Sequence, residues 1–326
     1  EKASFEVKKA FRKLKEEGMT KLVFDLRSNP GGSLIESIRI SNFFLPKGKK
    51  IVSTKAKIKK WSNTYKTQNN PLDLEIPIVV LVNERSASAS EIVSGSLQDY
   101  DRAVIMGKRS FGKGLVQRYR ALSYGTQLKL TISKYYTPSG RCIQELDYEN
   151  RDAKTGKVPK FSDSRINAFK TANGRTVYDG GGVLPDIEIS TSNSNEITEE
   201  LLKSKAIFNF AMRYFYKNPT IKKLSDLNFK NTDFNDFTAY LKVDTTFVTT
   251  KESLFKKAFL ASQEHNISRE YIKIKEKLAA DKIAEISKNK DLILELIKAE
   301  ILQMFFYKEG LYKFNLKNDK TISEAT

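Results

Sequence analysis

The stretch Asn83–Glu91 reads NERSASASE and sets three serines, Ser86, Ser88 and Ser90, at alternate positions with only alanines between them. It follows the apolar run IPIVVLV, Ile76–Val82, which predicts a buried strand, and leads into Glu91, Ile92 and Val93. One serine there can cap a helix, because its hydroxyl accepts from a free backbone N–H of the first turn. Three need another reason. A nucleophile on a strand-to-helix turn is one, since the helix N-terminus offers free N–H groups and a favourable dipole to an anion. Taken alone, the stretch reads more readily as a Ser/Ala-rich helix start.

A second constellation is SFGKGLVQ, Ser110–Gln117. Lys113 stands between two glycines, which permit close backbone approach. If a strand starts there, Lys113, Leu115 and Gln117 share a face, with Lys113 and Gln117 about 13 Å apart along a straight strand at ~3.3 Å per residue. A bend at the glycines or the side-chain lengths must then bring them together. A lysine shielded from water can serve as a general base, and a glutamine could orient its amine. The plainer reading of Lys113 alone is a surface lysine. A phosphate-binding loop does not fit, because Gly114, not Ser or Thr, follows the lysine. The third constellation is DLRSNPGGSL, Asp25–Leu34. A strand, a Gly-Gly turn and a helix can present backbone N–H groups to a developing oxyanion, or make an ordinary Pro-Gly turn.

Composition narrows the chemistry. A chain of 326 residues suggests two domains. With one cysteine, Cys142, and one histidine, His265, an intramolecular disulfide is excluded and a Cys/His zinc site has too few ligands. A Ser-His-Asp triad could use only His265, in the polar SQEHNIS, which reads as an exposed loop residue. A serine nucleophile here needs a different base. The net charge of +18, from 57 Lys and Arg against 39 Asp and Glu, favours acidic partners in general. The lysines are nevertheless mixed with glutamates, as in KIKEKLAADKIAEISKNK, and no nucleic-acid motif accompanies them, so specific nucleic-acid binding is not expected. No run approaches the ~18 apolar residues of a membrane span, and no signal peptide is read. The chain opens at Glu1 without a methionine and reads as a portion of a longer protein.

Periodicity supplies the elements that must position these residues. Helices are predicted over Phe5–Glu17, Leu34–Leu45 and Ser90–Gln98, and strands over Lys21–Leu26, Ile76–Val82 and Ala103–Gly107. The alternation argues for an α/β core. Lys50–Lys66 reads as a hairpin. Gly114–Ala121 and Gln127–Tyr136 flank SYGT as another, with Leu128, Leu130 and Ile132 forming one apolar face. Asp147–Asn173 reads as a polar surface insertion, and GRTVYDGGGVLPDIEI as a return to the core ending in a strand. Past Ser190–Glu196 the pattern is helical: Ile207–Tyr216, Phe234–Leu241, Glu252–His265, Arg269–Lys288 and Asp291–Tyr307, the last with an apolar stripe at Ile293, Ile297, Ile301 and Met304. No internal repeat is evident.

Together, DLRSNPGG, SASASEIVSGSLQDYDRAVIMG, SFGKGLVQ and YYTPSGRCIQ, spanning about Lys21 to Gln144, with GRTVYDGGGVLPDI further on, strongly resemble the C-terminal processing peptidases, or tail-specific proteases, of the serine-lysine type, family S41. The resemblance implies a ClpP/crotonase-like α/β protease core over residues 1–190, followed by an α-helical C-terminal domain over 191–326. It implies a serine endopeptidase acting on unstructured or C-terminal regions of proteins bound as extended strands, with no metal or cofactor. Carried over by motif, the nucleophile is Ser88, the base Lys113, 25 positions later, and the assisting residue Gln117. Ser86 and Ser90 become supporting residues. The oxyanion donors are the N–H of Ala89 and one from Gly31 or Gly32, which the sequence does not decide between. Relatives usually carry a PDZ domain before the core; none is read here, so tail recognition is unassigned. They typically act outside the cytoplasm, in the periplasm or cell envelope. A homo-oligomer is left open. The rival reading is a catalytically silent peptide-binding scaffold of the same fold, which the joint presence of Ser88, Lys113 and Gln117 argues against.

Overall fold

The computed structural model describes residues 2–161, 166–189, 195–227, 231–244, 246–262 and 268–326; His265 and most of the predicted domain junction, 190–194, lie outside them. Two compact units form: Glu1–Ser190 together with Lys320–Thr326, and Thr191–Asp319.

The first unit opens with α1 (Ala3–Glu16), whose Phe11 is buried in the core. It ends where the N–H groups of Gly18 and Met19 donate to the carbonyls of Lys15 and Leu14, the paired bonds of a glycine-terminated helix. Next come β1 (Leu22–Asp25), α2 (Leu34–Asn42), the hairpin β2 (Lys50–Ala56) and β3 (Asn63–Lys66), then β4 (Ile78–Val82), α3 (Ala89–Asp99) and β5 (Val104–Gly107). A long hairpin follows, β6 (Leu115–Ala121) and β7 (Gln127–Tyr136), then the small pair β8 (Ala168–Lys170) and β9 (Thr176–Tyr178), and β10 (Ile187–Glu188). Strands β1, β4, β5 and β10 form a parallel sheet in the order β1-β4-β5-β10. Val80, Leu81, Val82 and Ile105 are fully buried in it, as expected of a parallel sheet covered on both faces. An antiparallel sheet runs β3-β2-β7-β6 and leaves β6 as an edge.

The second hairpin differs from its sequence reading in one respect. Leu128 and Leu130 alternate as predicted, yet both are exposed, because the far half of the hairpin extends past the core. Alternation reports a shared face, not what covers it.

The second unit contains α4 (Glu196–Lys203), α5 (Ala206–Lys217), α6 (Asn231–Val243), α7 (Thr250–Ser262), α8 (Ser268–Lys288) and α9 (Lys290–Asn318). Ile293, Ile297 and Ile301 of α9 are buried against Ile207, Phe210 and Phe237, so the predicted stripe is core. Helix α9 outruns its predicted end and breaks its helical geometry at Tyr307. The last helix, α10 (Lys320–Ala325), belongs to the first unit, where Ile322 and Ala325 pack near Leu81 and Met106. Among the described residues no helix is long and apolar enough to cross a membrane.

Candidate active site

The three serines of the opening motif sit in three different environments. Ser86 is buried; its hydroxyl donates to the Leu26 carbonyl at the end of β1 (2.7 Å) and accepts from the Asn83 N–H (2.9 Å). Ser90 is buried, and its hydroxyl donates to the Asn29 carbonyl (3.1 Å). Both fasten the turn between β4 and α3 to the loop after β1. Ser88 alone is half-buried and lines an open cleft of about 340 Å³.

Ser88 also has the one unusual backbone of the three, with φ 57° and ψ −113°. A side chain other than glycine is strained there, at a cost of order 1–3 kcal/mol, and stays only where its surroundings hold it. Here they do. The Ser88 N–H donates to Glu91 Oε2 (2.7 Å), and its carbonyl accepts from the Tyr135 hydroxyl (3.2 Å) and the Ile92 N–H (3.0 Å). The Ala87 N–H donates to the Asn29 carbonyl (3.0 Å).

The Gly-Gly turn lies against this strained residue. A Cβ on Gly31 would come within 2.5 Å of the Ala87 carbonyl oxygen and 2.6 Å of the Ala89 nitrogen, and Gly31 has φ +87°, so only glycine allows the approach. Its own N–H is committed, donating to Asn29 Oδ1 (2.9 Å). Gly32 lines the cleft, as does Ala89, and neither N–H has a partner among the described residues. Of the two glycines, only Gly31 has its N–H engaged among the described residues.

Lys113 reaches the same cleft from an irregular segment just before β6. That segment is clamped on both sides. Gly112 N–H donates to Glu91 Oε1 (2.7 Å), Lys113 N–H to Glu91 Oε2 (2.9 Å) and Gly114 N–H to Gln144 Oε1 (2.8 Å). A Cβ on Gly114 would stand 2.8 Å from the Gln144 nitrogen, which is why the backbone must be bare there. Among the described residues no carboxylate pairs with Lys113 Nζ. Gln117 is exposed at the rim, with Nε2 3.5 Å from Thr131 Oγ1. The strand predicted over Gly114–Ala121 begins at Leu115, so it carries Gln117 and not Lys113, and the β6–β7 register shifts between Val116 and Gln117. The cleft therefore gathers Ser88, Ala89, Gly32, Lys113 and Gln117, with Gly31 behind the turn.

Two buried groups were not singled out from the sequence. Glu91 is fully buried and accepts four hydrogen bonds: from the N–H groups of Ser88, Gly112 and Lys113, and from the Ser110 hydroxyl (2.6 Å). Burial pushes its carboxyl up from the ordinary range, while these four donors pull the other way. One carboxylate thus holds the backbone of both Ser88 and Lys113. Its signal was present, since Ser88 and Glu91 have the S-x-x-E spacing of a capping box. The second group is the Asp99–Arg141 pair, wholly buried at 2.9 Å, with Arg141 also donating to Gln98 Oε1 (2.6 Å). It ties the end of α3 to the chain after β7, a contact no local pattern reveals. Among the described residues no cluster of three or more His, Cys, Asp or Glu side chains could hold a metal ion.

Parts of the chain are similar to known proteins. Residues 1–150 match the family described as Peptidase family S41, and residues 197–326 match the family described as Probable PDZ-protease, C-terminal helical domain. A "Probable CtpA-like serine protease" of Staphylococcus aureus is 43% identical over 144 residues, covering 43% of this chain and 28% of the relative. A "Carboxy-terminal-processing protease" of Bartonella bacilliformis is 49% identical over 122 residues, covering 37% of this chain and 28% of the relative. The aligned part is thus under a third of either relative's length. Among solved structures, the photosystem II D1 C-terminal processing protease is 28% identical with a TM-score of 0.43, over 58% of this chain and 39% of that one.

Proposed function

We propose that this chain, whose residues 1–150 belong to peptidase family S41, is a serine endopeptidase that cleaves unstructured or C-terminal regions of proteins through Ser88 and Lys113. The reading rests above all on one arrangement: a strained Ser88 opens on the same cleft as Lys113, Gly32 and Ala89, and among the described residues Lys113 has no ion pair and the N–H groups of Gly32 and Ala89 have no partner. In this reading the peptidase core is residues 1–190. The helical domain is residues 191–326, except that Lys320–Thr326 belongs to the first compact unit.

The Lys113 amine takes the proton of the Ser88 hydroxyl as Oγ attacks the scissile carbonyl. The carbonyl oxygen becomes an oxyanion, which accepts from the Gly32 and Ala89 N–H groups in a site that needs no reorganisation to receive it. Collapse breaks the C–N bond, and Lys113 returns the proton to the departing amine. Water then attacks the acyl-enzyme, giving its proton to Lys113; the ester C–O bond breaks, Lys113 returns the proton to Ser88 Oγ, and the acid is released. Gln117 orients the lysine from the rim. The substrate lies extended beside β6, the edge strand next to the cleft, where main-chain hydrogen bonds supply affinity. Action outside the cytoplasm, in the periplasm or cell envelope, belongs to the same reading and rests on the resemblance; fractionation of cells making the full-length protein tests it.

The test of the activity is cleavage of an unfolded protein by this chain beside its Ser88→Ala variant, both checked by circular dichroism. Cleavage is expected from the first and not from the second. Equal cleavage by the two would remove Ser88 from the chemistry, and no cleavage by either would favour the silent scaffold.

A further inference from the structure

Beside the cleft lies a second groove, of about 510 Å³, and the two share Leu115 and Gln117 of β6 as a common wall. Leu146, Tyr148 and Phe161 give it an apolar lining, and Lys55, Lys57 and Lys134 supply cations. Its two acids are already engaged. The Asp147 carboxylate accepts from the Glu149 N–H (3.2 Å) and Asn150 Nδ2 (2.6 Å), closing its own turn. Glu149 stands 3.7 Å from Lys134 and is largely exposed. Lys55 lies over the Tyr136 ring (4.5 Å), and among the described residues no carboxylate pairs with Lys55 or Lys57. The sequence around the hairpin carries no countercharge either: from Lys108 to Gln144 there is no Asp or Glu.

The charge of the cleft has the same sign. Its lining includes Lys129 and, among the described residues, no carboxylate. Because β6 is the edge of its sheet, a chain that leaves the cleft over this edge meets Leu115 and Gln117 first, and then the lysines. Lysines on apolar walls suit a ligand with a carboxylate beside apolar side chains. The stems pack on the apolar part while the ammonium groups reach the anion.

We propose that the Lys55–Lys57 groove is a substrate subsite that holds a peptide carboxylate, flanked by apolar residues, outside the cleavage point. The proposal rests on the peptidase reading above, and deepens it by naming the chemistry that selects the substrate. A chain-terminal carboxylate and an Asp or Glu side chain are both sources of that group. Exposed ion pairs are individually weak and screened by salt, so the groove biases choice among peptides without being needed for the reaction.

The test is a binding measurement that does not depend on turnover. Fluorescently labelled peptides of one apolar sequence are titrated, by anisotropy, into the full chain carrying Ser88→Ala, with and without Lys55→Gln and Lys57→Gln. One peptide ends in a free carboxylate, one is amidated, and one is amidated with a glutamate added. A carboxylated peptide is expected to bind about fivefold more tightly than the neutral amide at low salt, in keeping with two exposed pairs. That advantage should vanish in the double lysine variant and at high salt. Whichever carboxylated peptide shows it identifies the source. Equal binding of all three peptides, or an advantage that survives loss of both lysines, overturns the subsite. Because Ser88 is already absent, this outcome is independent of whether the chain cleaves anything.

Discussion

Replacing Glu91 by glutamine keeps the shape of the side chain and changes only its hydrogen bonding. Each carboxylate oxygen now accepts twice, Oε1 from Ser110 and Gly112, and Oε2 from Ser88 and Lys113. An amide has one accepting oxygen, so either orientation aims its NH2 group at a backbone N–H: Gly112 on one side, Ser88 and Lys113 on the other. One or two buried donors then lose their acceptor, at about 1–3 kcal/mol each. The expected loss is about 2–4 kcal/mol, a large part of the ~5–15 kcal/mol that holds a typical domain together. The single tryptophan, Trp61, lies in the first unit and reports on it alone. With a urea dependence of ~2–3 kcal/mol per molar, its fluorescence transition should fall by about 1 M. Proteolysis measured where the variant is still folded should also drop, through a lower rate at saturating substrate, because Ser88 and Lys113 are no longer held by one group. A Glu91→Gln protein that unfolds at the wild-type urea concentration and cleaves at the wild-type rate would refute the role given to this carboxylate.

Lys113→Arg keeps a long basic side chain that cannot give up its proton, so it should be folded and inactive, as should Lys113→Ala; substantial proteolysis by either removes the lysine from the mechanism. Gly31→Ala forces a Cβ against Ala87 and Ala89 at a left-handed φ, and is expected to lower the urea midpoint of the Trp61 signal and abolish cleavage, whereas wild-type behaviour would show the turn to be loosely held. Burial alone would raise the Asp73 carboxyl, but the N–H groups of Ile76 and Glu75 and the Lys15 ammonium outweigh it and hold it at about 2. Its folded value is thus below its unfolded one, so its stabilisation is present above about pH 4 and fades toward pH 2. Asp73→Asn should flatten that part of the stability–pH curve, and an unchanged slope would exclude Asp73 as its source.

Local pattern carried the placement of the site a long way. The run Ile76–Val82 and the small residues after it gave the strand-to-helix turn, because a buried parallel strand is almost continuously apolar and a helix start needs little side-chain bulk. The motif order brought Ser88 and Lys113 into one cleft on paper, although Lys113 lies just before the strand and not on it. What stayed hidden is long-range. One exception is local: the difference between Gly31 and Gly32 lies in an Asn29 side chain that takes the N–H two positions along the chain. The burial of Asp99 with Arg141 depends on two segments that sequence distance does not relate. Tyr135, whose hydroxyl holds the Ser88 carbonyl, reads in the sequence as one more aromatic on a strand. Exposure was the other blind spot: Leu128 and Leu130 alternate like core residues, yet belong to a hairpin that runs beyond the core.

The central claim is that Ser88 is the nucleophile, and the most direct measurement is the site of covalent modification by a serine-reactive fluorophosphonate. The folded chain is treated with the probe, digested and mapped by peptide mass spectrometry, alongside Lys113→Ala. The account predicts a single adduct on Ser88, strongly diminished when Lys113 is absent, with Ser86, Ser90 and Ser110 unmodified in their buried hydrogen bonds. An adduct on Ser86, Ser90 or Ser110 with Ser88 untouched would contradict it.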